Sequence, residues 1–275
     1  MKPEFKAATK PIRQIIFFSE HKTMQILLAC AKIMTDPGDA CAPALSTPAF
    51  AAEAMRFAAD MTSLDVDDIA ATMHCSRQIA AETALRYRDF FSDAPLQPAV
   101  LAYYGQAYKT LRAREFTTEQ LLYAEQHLWI TSFLYGLLRP LNGIHPYRME
   151  GKVCLPSAEG ENMFGFWRSR LTELLIHSVK ADDGVLLHLA TEEMQHLFDW
   201  SRVKREVTVI QPQFLVESNG RTKAVAVYAK SCRGAMTRHV ITNQINSPAE
   251  LLQFSYQGFC YRENLSDAAN LVYVL

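Results

Sequence analysis

The chain has 275 residues, 49% of them apolar and 21% charged, and a net charge of -1. Those values exclude a disordered, fibrous or polycationic protein and leave room for a substantial core in one large domain or two modest ones. Affinity for nucleic acid would have to come from a local basic face.

The N-terminal stretch MKPEFKAATKPIRQIIFF carries an apolar run of four residues, too short for a signal peptide. No run approaches a membrane span. Six cysteines without a C-x-x-C pair read as reduced thiols. A cytoplasmic protein without a membrane partner is expected.

In chain order, Ile15–Phe18 reads as a buried strand ending in the polar turn SEHKTM. Residues 36–50, rich in Pro, Ala and small polar side chains, read as a loop. Helical patterning covers 51–60, 65–73 and 77–91, and the break HCS makes the last two a helical hairpin. Residues 99–128 also look helical, with Thr117 and Gln120 as a capping box. WITSF (129–133) reads as a buried strand, and YGLLRP as one helical turn stopped by Pro140. An amphipathic helix is expected over 161–178, a strand over 185–190 and a helix from Thr191. VTVIQPQFLVE and TKAVAVYAK, on either side of Ser-Asn-Gly, read as a strand hairpin. The segment from Ser231 to Ile245 is helical, PAELLQF a short helix with Pro at its first turn, and NLVYVL a closing strand. The expectation is a mixed α/β fold with α+β character: a single domain over 1–275, with a mixed sheet, surrounding helices and a hairpin insert at about 51–91.

Motifs of known chemistry are mostly missing. No HExxH or Cys/His cluster has ligand spacing, and Glu192, Glu193 and His196 lack the second pair that a di-iron site needs. No metal and no cofactor is expected. There is no G-x-S-x-G elbow, P-loop or G-x-G-x-x-G. Cys232 beside Arg233 is a candidate low-pKa thiol, with burial the stronger reading. The hairpin at 65–91 has the outline of a helix-hairpin-helix, but its turn has no glycine pair.

Cations give the best lead. Lys22 follows the first expected strand, Arg139 and Arg148 sit on proline turns, and Lys230, Arg233 and Arg238 cluster around a strand end and the next helix. Strand ends and helix starts are where phosphate-bearing ligands bind. Gly234 permits a close backbone approach in the same segment. A solvated or salt-bridged surface, with Glu150 as partner, is the equal alternative.

FLYGLLRPLNGIHPYRME resembles the signature of the YaaA family of peroxide-stress proteins (the UPF0246, or DUF328, group), whose pattern runs SGLYGLLRPLD and then PYRLE. FGFW, HLATEE, YAKSCRGAMTR and PAELLQFSYQGFCY are similar to further family segments, in order along the chain. FFSEHKTM is set against the family's LSPAKT. Departures include Glu20-His21 for Pro-Ala, Cys232 for a small residue, His188 for an asparagine and Met194 for a tyrosine. The resemblance implies a mixed α/β fold with a positively charged cleft, a helix-hairpin-helix-like element, and a role in hydrogen peroxide stress that limits free iron and DNA damage. Its implied partner is DNA, through Lys22, Arg139, Arg148, Lys230, Arg233 and Arg238. The alternative is an enzyme acting on a nucleotide, nucleobase or other phosphate-bearing small molecule, with Lys22, Glu150 and Glu193 as candidate catalytic groups.

Overall fold

The computed structural model describes residues 23–35 and 43–275. The expected strand at 15–18 and Lys22 lie outside them, as do residues 36–42 of the expected 36–50 loop. The strands are β1 (Gln25–Leu28), β2 (Gln97–Pro98), β3 (Leu128–Ser132), β4 (Gly136–Leu138), β5 (Gly143–Ile144), β6 (Val185–Leu189), β7 (Thr208–Ile210), β8 (Gln213–Ser218), β9 (Arg221–Ala224), β10 (Ser255–Tyr256), β11 (Phe259–Tyr261) and β12 (Val272–Val274). The α-helices are α1 (Ala51–Thr62), α2 (Val66–Met73), α3 (Arg77–Asp89), α4 (Ala99–Ala102), α5 (Gln106–Leu111), α6 (Thr118–His127), α7 (Met163–Ala181), α8 (Glu192–Gln195), α9 (Trp200–Glu206) and α10 (Ala226–Asn243).

Near-continuous apolar runs mark strands buried on both faces, and this is how QILL, LWITS and VLLHL behave. They form the centre of a five-stranded sheet of order β4-β3-β1-β6-β7. β1 is parallel to both β3 and β6, β6 is parallel to β7, and β4 returns antiparallel to β3. A second sheet, β10-β11-β12-β8-β9, is antiparallel except for the β12–β8 pair. Fold class is thus mixed α/β.

Local chemistry sets the helix starts. Asp65 accepts from the amides of Asp67 and Asp68 at α2, and Ser76 from Ile79 at α3. Thr117 and Gln120 form the expected capping box of α6. Asn162 caps α7 through the Gly165 amide. The buried face of α7 sets Phe166 and Trp167 against Phe57 of α1, ring edges to faces. The Trp167 indole N–H donates to the Phe133 carbonyl at 2.8 Å, which fixes the chain as it leaves β3.

Three expectations need correction. YGLLRP is no helical turn: Gly136–Leu138 pairs along β3, with Gly136 at φ 73° tucked against Leu171 and Trp167 where a side chain would collide. TKAVAVYAK is strand only as far as Ala224, and α10 begins at Ala226, which puts Lys230 on the helix. The helical stretch 99–128 is broken at Tyr103 and at Arg112, the latter left-handed at φ 53°.

Candidate functional site

The parallel strands β1, β3 and β6 end together, and the chain leaving each end lines one cavity of about 370 Å³. From β1 come Leu28 to Ile33, from β3 Phe133, and from β6 Leu189, Thr191, Glu193 and Met194. Tyr104–Tyr108 and the segment Tyr147–Met149 supply further wall, and α10 adds Lys230 and Arg233. This is the crevice beyond the carboxyl ends of parallel strands, where open α/β sheets hold ligands.

α10 reaches this wall because of Gly234. A Cβ there would lie 1.8 Å from the Ala107 carbonyl oxygen, so the glycine admits α5 rather than a ligand. Thr110 Oγ1 donates to the Ser231 carbonyl at 2.8 Å and Gln106 Nε2 to Ser231 Oγ at 2.9 Å, locking the crossing.

Arg148 is fixed from behind by α3. The buried Tyr87 hydroxyl donates to the Arg148 carbonyl at 2.8 Å, and Arg86 Nη1 donates to the Tyr147 carbonyl at 3.1 Å. Its guanidinium donates through Nη2 to Glu150 Oε1 at 3.0 Å, while Lys32 Nζ meets Glu150 Oε2 at 2.7 Å. Beneath lies a buried hydroxyl chain: Tyr103 to Tyr147 at 2.7 Å and Tyr147 to Ser132 at 2.7 Å, with Ser132 accepting from the Tyr135 amide. Burial pushes both tyrosines well above their ordinary range, so the hydroxyls stay protonated and the chain carries no charge.

Among the described residues, several polar atoms at and behind this wall are buried and unpartnered. They are Arg148 Nε, Thr191 Oγ1 and both ring nitrogens of His188. Burial, and then Arg233, pushes the His188 imidazole down to about 3, so it is neutral. Arg233 is itself pushed down by burial, and its side chain makes no hydrogen bond or ion pair among the described residues. Burial drives the Cys30 thiol, at the end of the central strand, up to about 12, so it is no reactive thiolate.

The expected cations therefore separate. Arg148, Lys230 and Arg233 share the cleft, joined by Glu193, with Glu150 bound to its rim. Arg139 is at the opposite end of the sheet. It donates to Gln25 Oε1 at 3.1 Å and to the Leu128 carbonyl at 3.2 Å, the first residues of β1 and β3, and lies 3.4 Å over the Trp129 ring. Burial lowers it to about 10. Nearby, Thr23, His127 and Asp182 complete a polar cluster for which the sequence gives no signal. Arg238 caps α5, donating to the carbonyls of Leu111 and Arg112 and pairing with Glu115. Lys22 lies outside the described residues, and the lysine after β1 that lines the cleft is Lys32.

Other candidates take structural places. Cys232 is fully buried and its thiol is pushed up to about 12 rather than down. Glu192 and His196 line a separate groove with Trp200, apart from Glu193. No group of three His, Cys, Asp or Glu side chains among the described residues is placed to hold a metal. In the α2–α3 hairpin Arg77 is paired with Asp67 and Arg88 with Asp89. No helix among the described residues is long and apolar enough to cross a membrane.

Comparison with known proteins finds relatives along most of the chain. The family model for the peroxide stress protein YaaA matches residues 24–265. That match starts after Lys22, so FFSEHKTM falls almost wholly before it, and LACAKI (Leu28–Ile33) is the segment inside it that keeps the Leu, Ala and Lys of LSPAKT. A UPF0246 protein of Bacteroides thetaiotaomicron is 42% identical over 91% of this chain and 98% of its own length. One from Phocaeicola vulgatus is 45% identical over 86% and 94%, and one from Porphyromonas gingivalis 40% over 92% and 100%. The chain belongs to the family of the peroxide stress protein YaaA.

Proposed function

We propose that this protein serves its peroxide-stress role through a small-molecule site in the cleft, which binds a ligand carrying a phosphate or carboxylate on a largely apolar or aromatic body. One observation carries the reading: Arg148 Nε, Thr191 Oγ1 and the Arg233 guanidinium, donors on three separate segments, line one cavity without a partner among the described residues. Buried donors are rarely left unsatisfied, so Arg148 Nε and Thr191 Oγ1, with the half-buried Arg233 beside them, fit a ligand rich in acceptor oxygens. Glu193, on the same wall, is the group available for acid–base chemistry on it. A nucleotide whose phosphate is a singly charged diester, with an aromatic base for the tyrosines and the phosphate for the arginines, is the first class to test.

The test is a thermal-shift screen of nucleotides, nucleosides and inorganic phosphate. Hits that stabilise wild type and are lost in Arg148→Ala and Arg233→Ala support the site, and hits that survive both substitutions refute it.

Duplex DNA is a second reading, favoured by the proximity of Arg86 on the helical hairpin to Arg148, which lowers the Arg86 proton affinity after burial has done so. A phosphate backbone laid along this strip would couple the cleft to the hairpin, and protection of DNA from iron-dependent damage would follow. Such binding must weaken steeply with salt. Salt-indifferent or undetectable binding to a duplex at low salt removes this reading.

A further inference from the structure

An anion site has to control how much charge it accepts, and here Glu150 stands in the way of full attraction. One carboxylate oxygen meets Lys32 Nζ at 2.7 Å and the other meets Arg148 Nη2 at 3.0 Å. The carboxylate joins the chain after β1 to the chain after β5 across the cleft rim. It is the better protected end of the Lys32 pair, at 17% exposure against 62% for the lysine. Lys230 and Arg233 make no hydrogen bond or ion pair from their side chains among the described residues. The four lining cations thus fall into two classes: a pair on α10 without a hydrogen-bond or ion-pair partner among the described residues, and a pair already holding a carboxylate. Arg148 keeps a buried donor, Nε, without a partner among the described residues, for an incoming oxygen.

We propose that Glu150 is a specificity-determining residue of the cleft: it occupies Lys32 and Arg148 with an internal carboxylate, so the site favours a singly charged anionic group and discriminates against phosphate dianions and polyanions. The inference rests on the small-anion reading above. A carboxylate fixed on two cations takes the acceptor positions that a ligand's oxygens would use, and it subtracts a full charge at contact distance, where partial burial leaves the effect only weakly screened. The rule by which specificity includes repulsion of the wrong partner applies directly to this rim.

The experiment compares wild type, Glu150→Gln, Lys32→Ala and Arg148→Ala by calorimetric titration with acetate, inorganic phosphate and a short DNA duplex. Glu150→Gln keeps the shape of the side chain and removes its charge. It is expected to tighten phosphate about tenfold more than it tightens acetate, and to raise duplex affinity. Lys32→Ala removes an exposed cation while leaving Glu150 on Arg148, and is expected to weaken phosphate. A purely structural clasp would shift both variants the same way, and equal phosphate affinity in wild type and Glu150→Gln overturns the proposal. Should Glu150→Gln fail to fold, unchanged phosphate binding in Lys32→Ala overturns it alone. Phosphate binding that is lost in Arg148→Ala yet indifferent to Glu150 sinks this proposal and leaves the anion site standing. No binding of acetate or phosphate by any form sinks both.

Discussion

His188 offers a direct test of how the cleft wall is built. The side chain is 1% exposed, sits on β6 beside the central strand, and packs tilted against the Trp200 ring with centroids 4.7 Å apart. Neither ring nitrogen has a partner among the described residues, and burial with Arg233 nearby holds the proton affinity at about 3 against an ordinary 6.5. The folded value is depressed, so the unfolded chain binds the proton more tightly. His188 therefore costs no stability from this source above pH 6.5, and stability is lost as pH falls from 6.5 towards 3. Between pH 7.5 and pH 5 the loss works out at about 2 kcal/mol for this group, with about 5 kcal/mol as the limit below pH 3. Replacing it with Leu, close in volume, removes the titration and the two orphaned nitrogens together. Urea denaturation of wild type and His188→Leu at pH 7.5, 6 and 5 measures the difference. The variant is expected to match or exceed wild type at pH 7.5 and to lead by about 2 kcal/mol more at pH 5. Parallel stability–pH curves for the two proteins would refute the buried neutral imidazole.

Two further outcomes separate scaffold from site. Gly234→Ala drives a methyl group into the Ala107 carbonyl and should cost about 3 kcal/mol in chemical denaturation, while also displacing Lys230 and Arg233 from the cleft and weakening ligand binding. Arg139→Ala, losing hydrogen bonds to Gln25, Leu128 and Ser178 and the stack on Trp129, should cost about 2–4 kcal/mol with no change in ligand affinity per folded molecule. A change in affinity would move Arg139 back to the site.

Much of the architecture was legible because apolar periodicity and capping chemistry are local. The hairpin at 65–91, the capping box at Thr117, the long helix α7 and strands β3, β6 and β12 follow from residues a few positions apart. The parting of Arg139 from Arg148 was not legible, although only eight residues lie between them. Read as a helical turn, YGLLRP would keep Arg139 near the end of β3. As the three-residue strand β4 it carries the chain roughly 10 Å back along β3, to the sheet's opposite end. The chain then returns through β5 to deliver Arg148 to the cleft. Propensity alone cannot decide so short a segment, since its partner strand supplies the hydrogen bonds that make it a strand. Lys32 was missed for a related reason. QILL is only four residues long, and the apolar run at 15–18 drew the strand assignment upstream. The Glu150 bridge joins residues 118 positions apart and has no sequence signal beyond the neighbourhood of Arg148.

The stiffness of the PYRME segment comes from further away than its proline. Tyr87 and Arg86 of α3 hold the carbonyls of Arg148 and Tyr147, and the Tyr147 amide meets the Met34 sulfur at 3.3 Å. Tyr147 is gripped again at its hydroxyl by Tyr103 and Ser132. The backbone that carries Arg148 is thus tied to a helix, to the chain after β1 and to the end of β3. A cation that only neutralises phosphates along a duplex gains little from such fixing, because counterion release depends on charge more than on position. A cation that must meet one oxygen of one ligand gains a great deal, since its ordering entropy has been lost on folding rather than on binding. The bracing behind Arg148 and the carboxylate in front of it therefore favour the same proposal, that this end of the sheet selects a small anion.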